Sequence, residues 1–361
     1  MKILFDYEIF YIQKYGGISN YYYQLCKEML KTNNDLLVVC PFYKNKYISQ
    51  LPKINIYGNY VGYLPHHFNK VLEISNYHIS KNIKKKYRPD IVHSTYYSDK
   101  KYSGKKICTV YDLINEKFSH LFKNSEKISE IKKKTINNSA HIICISENTK
   151  KDLIDIFKVP EEKITVTLLA SSFENIYINK EDKKFKNHLL FVGSRQGYKN
   201  FEGLIKAFSI SNYLKNNFKI IVYGGEKFGK NDYEIIKKSN LNANQILFYD
   251  DNDFDLSYLY SNVEALVYPS SYEGFGIPIL EAMSFGCPVI SSFAGSLKEV
   301  GGDGISYFNP SEPESIYEVI EKVMTSEEII NKTVSYGYER TKLFSWSDCA
   351  KKTLETYKMI I

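Results

Sequence analysis

The chain has little with which to hold a metal or to cross-link itself. Its six cysteines are Cys26, Cys40, Cys108, Cys144, Cys287 and Cys349. They are dispersed, with no Cys-x-x-Cys pair and no His/Cys cluster, so neither a zinc site nor a disulfide framework is expected. A reducing compartment is the simplest setting. Long apolar runs are also missing, and none approaches the roughly 18 residues of a membrane span. The first segment, MKILFDYEIF, reaches Asp6 and Glu8 before a signal-peptide core could form. We therefore expect a cytoplasmic protein, soluble or peripheral on the inner face of the membrane. No Gly-x-Gly-x-x-Gly follows the first apolar segment, which weighs against an NAD-dependent oxidoreductase.

Charge is only mildly unbalanced, with 48 Lys+Arg against 41 Asp+Glu and a net +7. That excess suits an anionic ligand or an anionic membrane surface and falls short of a nucleic-acid-binding profile. The 361 residues suffice for two domains. Short apolar runs alternate with segments of helical spacing. KILFDY, DLLVVCPF, DIVHSTYY, KICTVYDLI and HIICISE read as strands. The run ISNYYYQLCKEMLK places Ile18, Tyr22, Leu25 and Met29 on one helical face. Ser146 opens SENTKKDLIDIF as an N-cap. Residues 171–187 are polar and aperiodic and read as a linker. A second alternating set then begins at HLLFVGS and runs through EALVYPS and PVISS. Strands interleaved with helices imply βαβ units and parallel sheets, so the fold class is α/β, as two tandem doubly wound domains; one larger α/β domain is the alternative.

The stretch SSYEGFGIPILEAMSFGCPVI sets Glu273 and Glu281 about a Gly-Phe-Gly-Ile-Pro turn. Pro278 fits a first helical turn, and Glu281 then lies about one turn inside that helix. Both carboxylates can face the crevice at the carboxyl end of a strand, where open α/β sheets bind ligands. Gly274 and Gly276 allow close approach of backbone to a ligand, and the helix N-terminus is a seat for phosphate. A carboxylate there would repel phosphate unless it accepts hydrogen bonds from hydroxyls. A ligand with phosphates in the middle and hydroxyls at both ends, a nucleotide sugar, answers both demands. Spacing alone leaves another reading open: Glu281 favoured by the helix dipole and Glu273 a solvated loop residue.

Pro269–Ile290 as a whole resembles the signature of the family-four retaining glycosyltransferases, proteins of two Rossmann-like domains facing across a cleft (the GT-B fold). The resemblance continues in FVGSRQGYKNFEGLIKAF (191–208), SLKEVGGDGISYFNP (296–310) and SDCAKKTLETY (347–357), and in GGISNYYYQL, TVYDL and ISENTKKDL of the first half. It implies an acceptor-binding domain over 1–175, completed by a C-terminal helix 346–361, and a nucleotide-sugar-binding domain over 185–345. It implies that Glu281 binds the ribose, that Glu273 meets a hydroxyl of the donor sugar, and that Arg195 and Lys199 bind the diphosphate. Gly274, Phe275, Gly276, Ile277 and Leu280 would line the donor, the amides of 275–277 among them, and Gly17 would approach the diphosphate. Glu273, Lys199, Arg195 and Tyr111 would stand at the reacting centre. Tyr111 replaces a histidine frequent in the family; it keeps any backbone role and loses an imidazole one. His93 matches another frequent histidine and either lines an acceptor pocket or is structural.

The resemblance implies no metal and no cofactor beyond the donor. The acidic run 250–255 contains Asp251-x-Asp253, but Asp253 or Asp255 reads better as an N-cap to LSYLYSNV. The implied function is retaining, metal-independent transfer of a hexose from a nucleotide-diphosphate sugar, with GDP-mannose favoured and a UDP-sugar open, to a glycan or lipid-linked saccharide in cell-surface polysaccharide assembly. Residues 64–89, mixing aromatics and lysines, read either as a surface resting on an anionic membrane or as an amphipathic helix with a solvated basic face. Two other classes stay open: a nucleotide-sugar epimerase of the same architecture, and a non-catalytic sugar-nucleotide-binding protein.

Overall fold

The computed structural model describes residues 1–62, 69–100, 104–173, 183–195, 197–250 and 253–361. The chain forms two compact units, Met1–Leu169 with Ser345–Ile361, and Ala170–Phe344. The first holds β1 (Lys2–Phe5), β2 (Asp35–Tyr43), β3 (Ile56–Tyr60), β4 (Ile91–Ser94), β5 (Lys105–Val110), β6 (His141–Cys144) and β7 (Ile164–Val166). The second holds β8 (His188–Val192), β9 (Lys219–Tyr223), β10 (Ile246–Tyr249), β11 (Ala265–Tyr268), β12 (Val289–Ser292) and β13 (Ser306–Phe308). Their strand orders are β3-β2-β1-β4-β5-β6-β7 and β10-β9-β8-β11-β12-β13, and the pairings are parallel in both sheets. This is the doubly wound α/β architecture. Central strands such as Ala265–Tyr268 are buried on both faces, as helices covering both sides of a parallel sheet require.

In each sheet the first strand pairs on both sides, β1 with β2 and β4, and β8 with β9 and β11. The order reverses there, which opens a crevice at the carboxyl ends of those two strands. Lys199 follows β8 and Glu273 follows β11, so both fall at the second unit's reversal.

The Gly17–Met29 helix buries Tyr22, Leu25 and Met29 completely. The Trp346–Ile360 helix lies on it, with Tyr21 and Trp346 ring centroids 6.2 Å apart. Ser146 caps its helix by accepting from the Thr149 N–H at 3.0 Å. Asp255 likewise caps Leu256–Asn262, accepting from the Ser257 N–H at 2.9 Å, while Asp253 accepts from the Asp250 N–H at 3.0 Å; Asp251 is outside the described residues. The expected linker is shorter than 171–187. Phe185 is buried against Tyr249 and Phe254, and Lys183 pairs with Glu264 at 2.6 Å, so apolar burial draws 183–187 into the second unit. Residues 174–182 lie outside the described residues.

The Asn69–Tyr87 helix turns a polar stripe inward. Asn76 and Ser80 are buried, Lys84 with them, and Asn76 bonds both the N–H and the carbonyl of Phe42, at 2.8 and 3.0 Å. Val71 and Ile74 are exposed, as are Lys81, Lys85 and Lys86. Residues 64–68 of the basic segment are outside the described residues. Among the described residues no helix is long and apolar enough to cross a membrane.

Candidate functional site

Two loops meet at the reversal of the second sheet. After β8 the chain turns at Gly193, whose φ of +128° excludes most side chains, and enters the short Gly197–Lys199 turn. After β11 it runs from Pro269 to Gly276. The Ser271 N–H donates to the Tyr198 carbonyl at 2.7 Å and ties the two loops together. Lys199 Nζ then lies 2.6 Å from Glu273 Oε1 and 3.1 Å from the Tyr268 hydroxyl. The two charged side chains are 13% and 10% exposed. The Glu273 carbonyl accepts from the Ser296 N–H and hydroxyl at 3.2 and 2.9 Å. Gly295 permits this approach: its φ is +61°, and a Cβ there would stand 2.6 Å from the Glu273 carbonyl oxygen. The Ser270 hydroxyl is buried, with no hydrogen-bond partner among the described residues.

Beyond Glu273 the chain offers bare amides. Gly276, at φ +98°, caps the Ile277–Ser284 helix, and Pro278 sits in its first turn. The Ile279 N–H bonds the Gly276 carbonyl at 3.0 Å. Among the described residues no acceptor meets the N–H of Phe275, Gly276 or Ile277. Successive unpaired N–H groups at a helix N-terminus favour an anion or a ligand oxygen. The Phe275 side chain is 3% exposed and packs edge-on to Phe344, so its amide is what it can present. Leu280 is 1% exposed and belongs to the core face of the helix. Its side chain packs into the core, because the inward stripe of the helix is apolar.

Glu281 is half-buried and accepts from the Tyr260 hydroxyl at 3.1 Å. Burial pushes its carboxyl up to about 7, and the Tyr260 bond only partly offsets this. Arg195 lies elsewhere. Its Nε is 3.1 Å from Asp232 Oδ1, and its Nη atoms donate to the carbonyls of Gly224 (3.3 Å), Glu226 and Lys227 (3.3 Å). The guanidinium also lies over Phe228 and Phe248, 5.1 and 5.6 Å from the ring centroids. The fork expected at the diphosphate is in this structure engaged with the 224–232 loop. Its acceptors came from sequence positions that turn chemistry does not betray.

The family model for glycosyl transferases group 1 matches residues 173–340, and the model for Glycosyltransferase Family 4 matches residues 15–167. The chain is a family-four glycosyltransferase. Similar proteins agree with the assignment. O-antigen chain mannosyltransferase B of Escherichia coli is 27% identical over 63% of this chain and 62% of its own length. The chain thus spans less than two thirds of that relative. A glycosyltransferase of Methanocaldococcus jannaschii of unassigned activity is 27% identical over 99% of this chain and 98% of its own. Among solved structures, Anabaena HepE, in complex with UDP and glucose, superposes with a TM-score of 0.75 at 16% identity, over 99% of both chains. That likeness shows the GT-B fold.

In this glycosyltransferase the remaining candidates belong to the first unit. Gly17 opens its helix, and a Cβ there would meet nothing within 4 Å, so it borders open space. Tyr111 is 6% exposed, and its hydroxyl donates to that of Tyr22 at 2.9 Å. His93 is fully buried: Nδ1 lies 2.5 Å from the Tyr357 hydroxyl and Nε2 2.8 Å from Thr109 Oγ1. Burial pushes its pKa down to about 3. It is a fully buried histidine held between two hydroxyls, which fits the structural reading. The sequence reading missed Tyr268, Ser296 and Gly295. Each stands in or beside the signature segments, but which backbone groups they touch depends on contacts distant in sequence. Among the described residues no three His, Cys, Asp or Glu side chains converge to hold a metal.

Three outcomes follow from this geometry. Lys199→Ala leaves the Glu273 carboxylate buried without its cation and should cost roughly 3 kcal/mol in urea unfolding; adding Glu273→Ala should restore part of the loss. Arg195→Ala and Asp232→Ala should each speed amide exchange across 225–229 about tenfold. Equal loss of nucleotide affinity in both assigns Arg195 to the loop, and loss in Arg195→Ala alone assigns it to phosphate. For Glu281 the folded-state pKa is raised, so ionising the carboxyl opposes folding. Stability should fall as pH rises from about 4.5 through about 7. Glu281→Gln should flatten that fall, gaining up to about 3 kcal/mol at pH 8.

Proposed function

We propose that the chain transfers a hexose from a nucleotide-diphosphate sugar to a glycan or lipid-linked saccharide in cell-surface polysaccharide assembly, with retention and without a metal. The observation that carries this reading is the Lys199–Glu273 pair beside the open amides of 275–277 at the carboxyl end of β11. An incoming diphosphate takes Lys199 as its counter-ion. Glu273, released, accepts from a sugar hydroxyl, and Glu281 accepts from the ribose. The amides of 275–277 meet donor oxygens. GDP-mannose is the favoured donor, supported by relatives named as mannosyltransferases. A UDP-sugar is the alternative, supported by HepE, which holds UDP and glucose.

The bond from the anomeric carbon to the leaving phosphate oxygen breaks through an oxocarbenium-like state. The acceptor hydroxyl oxygen bonds that carbon from the same face, and its proton passes to the departing phosphate. Negative charge grows on the diphosphate, where Lys199 and the helix N-terminus stabilise it. Arg195 either joins them, exchanging Asp232 for phosphate, or holds the 224–232 loop in place. Tyr111 contributes through its backbone, since its hydroxyl is bonded to Tyr22. The first unit binds the acceptor. A lipid-linked acceptor would bring the chain to an anionic membrane, and exposed Val71 and Ile74 near Lys81, Lys85 and Lys86 suit that surface.

The test is release of nucleoside diphosphate from GDP-mannose and UDP-hexoses in the presence of EDTA, with and without lipid-linked saccharide. Acceptor-dependent release with an unchanged anomeric configuration is expected. Lys199→Ala should lower kcat/KM by about 10²-fold. Release of an altered sugar nucleotide without acceptor would instead identify an epimerase, and binding without turnover a non-catalytic protein.

A further inference from the structure

Beside Gly17 the first unit carries an aromatic and basic surface to which no donor role is given above. β1 and β2 are parallel neighbours, and their carboxyl ends lead into residues 6–17 and 44–50. Ligands of α/β sheets bind at that edge. Tyr15 is 50% exposed and Ile12 48%. Tyr15 and Tyr47 meet edge to face at 5.4 Å, and Tyr47 stacks on Tyr23 at 5.8 Å and 25°. Lysines border these rings: Lys14 and Lys46 lie 6.0 and 5.7 Å from the Tyr15 centroid, Lys44 5.9 Å from Tyr11 and Lys27 5.7 Å from Tyr23.

The ledge is tied together by hydrogen bonds, and its lysines form no ion pair among the described residues. Buried Asn45 donates to the carbonyls of Gln13 and Lys14 at 3.0 and 3.3 Å and accepts from the N–H groups of Tyr47 and Ile48 at 3.0 and 3.1 Å. The Lys46 N–H adds a bond to the Lys14 carbonyl at 3.0 Å. Residues 9–27 and 36–72 contain no Asp or Glu. Of the carboxylates beyond them, Glu28 pairs with Lys31, Glu8 is buried beside Lys100, and Glu73 lies near Tyr11. Among the described residues none of Lys14, Lys27, Lys44 and Lys46 forms an ion pair.

The exposed Tyr15 ring, backed by the half-buried Tyr47 and Tyr23, can receive the C–H face of a sugar ring, and the ammonium groups beside it receive carboxylate or phosphate. We propose that the ledge of Tyr15, Tyr23 and Tyr47 with Lys14, Lys44 and Lys46 binds an acidic saccharide, the charged portion of the acceptor glycan. This rests on the acceptor role given above to the first unit and deepens it: the acceptor is anionic.

The full chain would be titrated calorimetrically with a uronic-acid tetrasaccharide, a neutral mannose tetrasaccharide, phosphatidylglycerol vesicles and a nucleoside diphosphate. The acidic saccharide should bind tighter than the neutral one, with an affinity that falls with salt. Lys14→Gln with Lys46→Gln should weaken it about tenfold, and Tyr15→Ala should weaken both saccharides. Thermal unfolding of each variant checks that the fold is intact. Equal affinity for acidic and neutral saccharides, or acidic binding untouched by the lysine changes, overturns the proposal. So does a lysine effect seen on vesicles alone, which would make the ledge a lipid contact. Nucleoside diphosphate binding should be unchanged in every variant. Its absence in the unaltered chain would sink the transferase reading while acidic-saccharide binding stood on its own.

Discussion

Lys199 and Glu273 are 2.6 Å apart and mostly withdrawn from water, and much of the second unit's local architecture exists to hold them so. Removing two charges from solvent costs several kcal/mol each unless they meet with good geometry and further hydrogen bonds. The geometry here is supplied by backbone. Gly193, Gly276 and Gly295 all have positive φ, and at Gly295 a Cβ would collide with the Glu273 main chain. The Ser271–Tyr198 bond draws the two loops together, and the Tyr268 hydroxyl shares the ammonium. The pair leaves the lysine mostly withdrawn from water. In the donor binding proposed above, a phosphate would exchange one counter-ion for another, instead of stripping water from a free ammonium.

The corresponding edge of the first unit is built differently. At the carboxyl end of β1, buried Asp6 accepts from the Thr95 N–H and hydroxyl at 2.7 and 2.8 Å and from the Ser94 hydroxyl at 3.0 Å, which stitches β1 to β4. Burial alone would raise the Asp6 carboxyl, but Lys84 and the bonds from Thr95 outweigh it and hold it below its ordinary value. Its neighbour Glu8 moves the other way, up to about 8, through burial and the Asp6 charge. His93, Tyr22, Tyr111 and Tyr357 form a neutral network beside this pair. These groups fix strand ends and their side chains are buried, which leaves the exposed side chains to the loops beyond them.

Local patterning made the scaffold legible. Apolar runs of four to nine residues became strands, and the Ser146 and Asp255 caps are readable because a side chain and an N–H two or three residues away satisfy each other. The Glu273 loop was legible through a long signature in which glycine, proline and carboxylate constrain one another. What could not be read was partnership across sequence. Lys199 and Glu273 are 74 positions apart, and no periodicity joins them. His93 has its deciding contact with Tyr357, 264 positions away. Without that contact a strand-end histidine looks available for binding.

Arg195 and Lys199 show why residue type decided which cation stayed near the carboxylates. A guanidinium is a planar fork with five donors, suited to several fixed acceptors at once. The 224–232 loop presents such a set: three carbonyls, the Asp232 carboxylate and two aromatic faces. Releasing Arg195 would break all of these together. An ammonium is a point charge with three rotatable donors, and Lys199 meets the Glu273 carboxylate, the Tyr268 hydroxyl and the rings of Tyr198 and Tyr268. The proposed donor binding asks it to exchange that carboxylate for a phosphate oxygen. On that proposal the lysine is the cation that changes partner, and a Lys199→Arg chain, with a planar fork in place of a point charge, would hold Glu273 more tightly and exchange less readily.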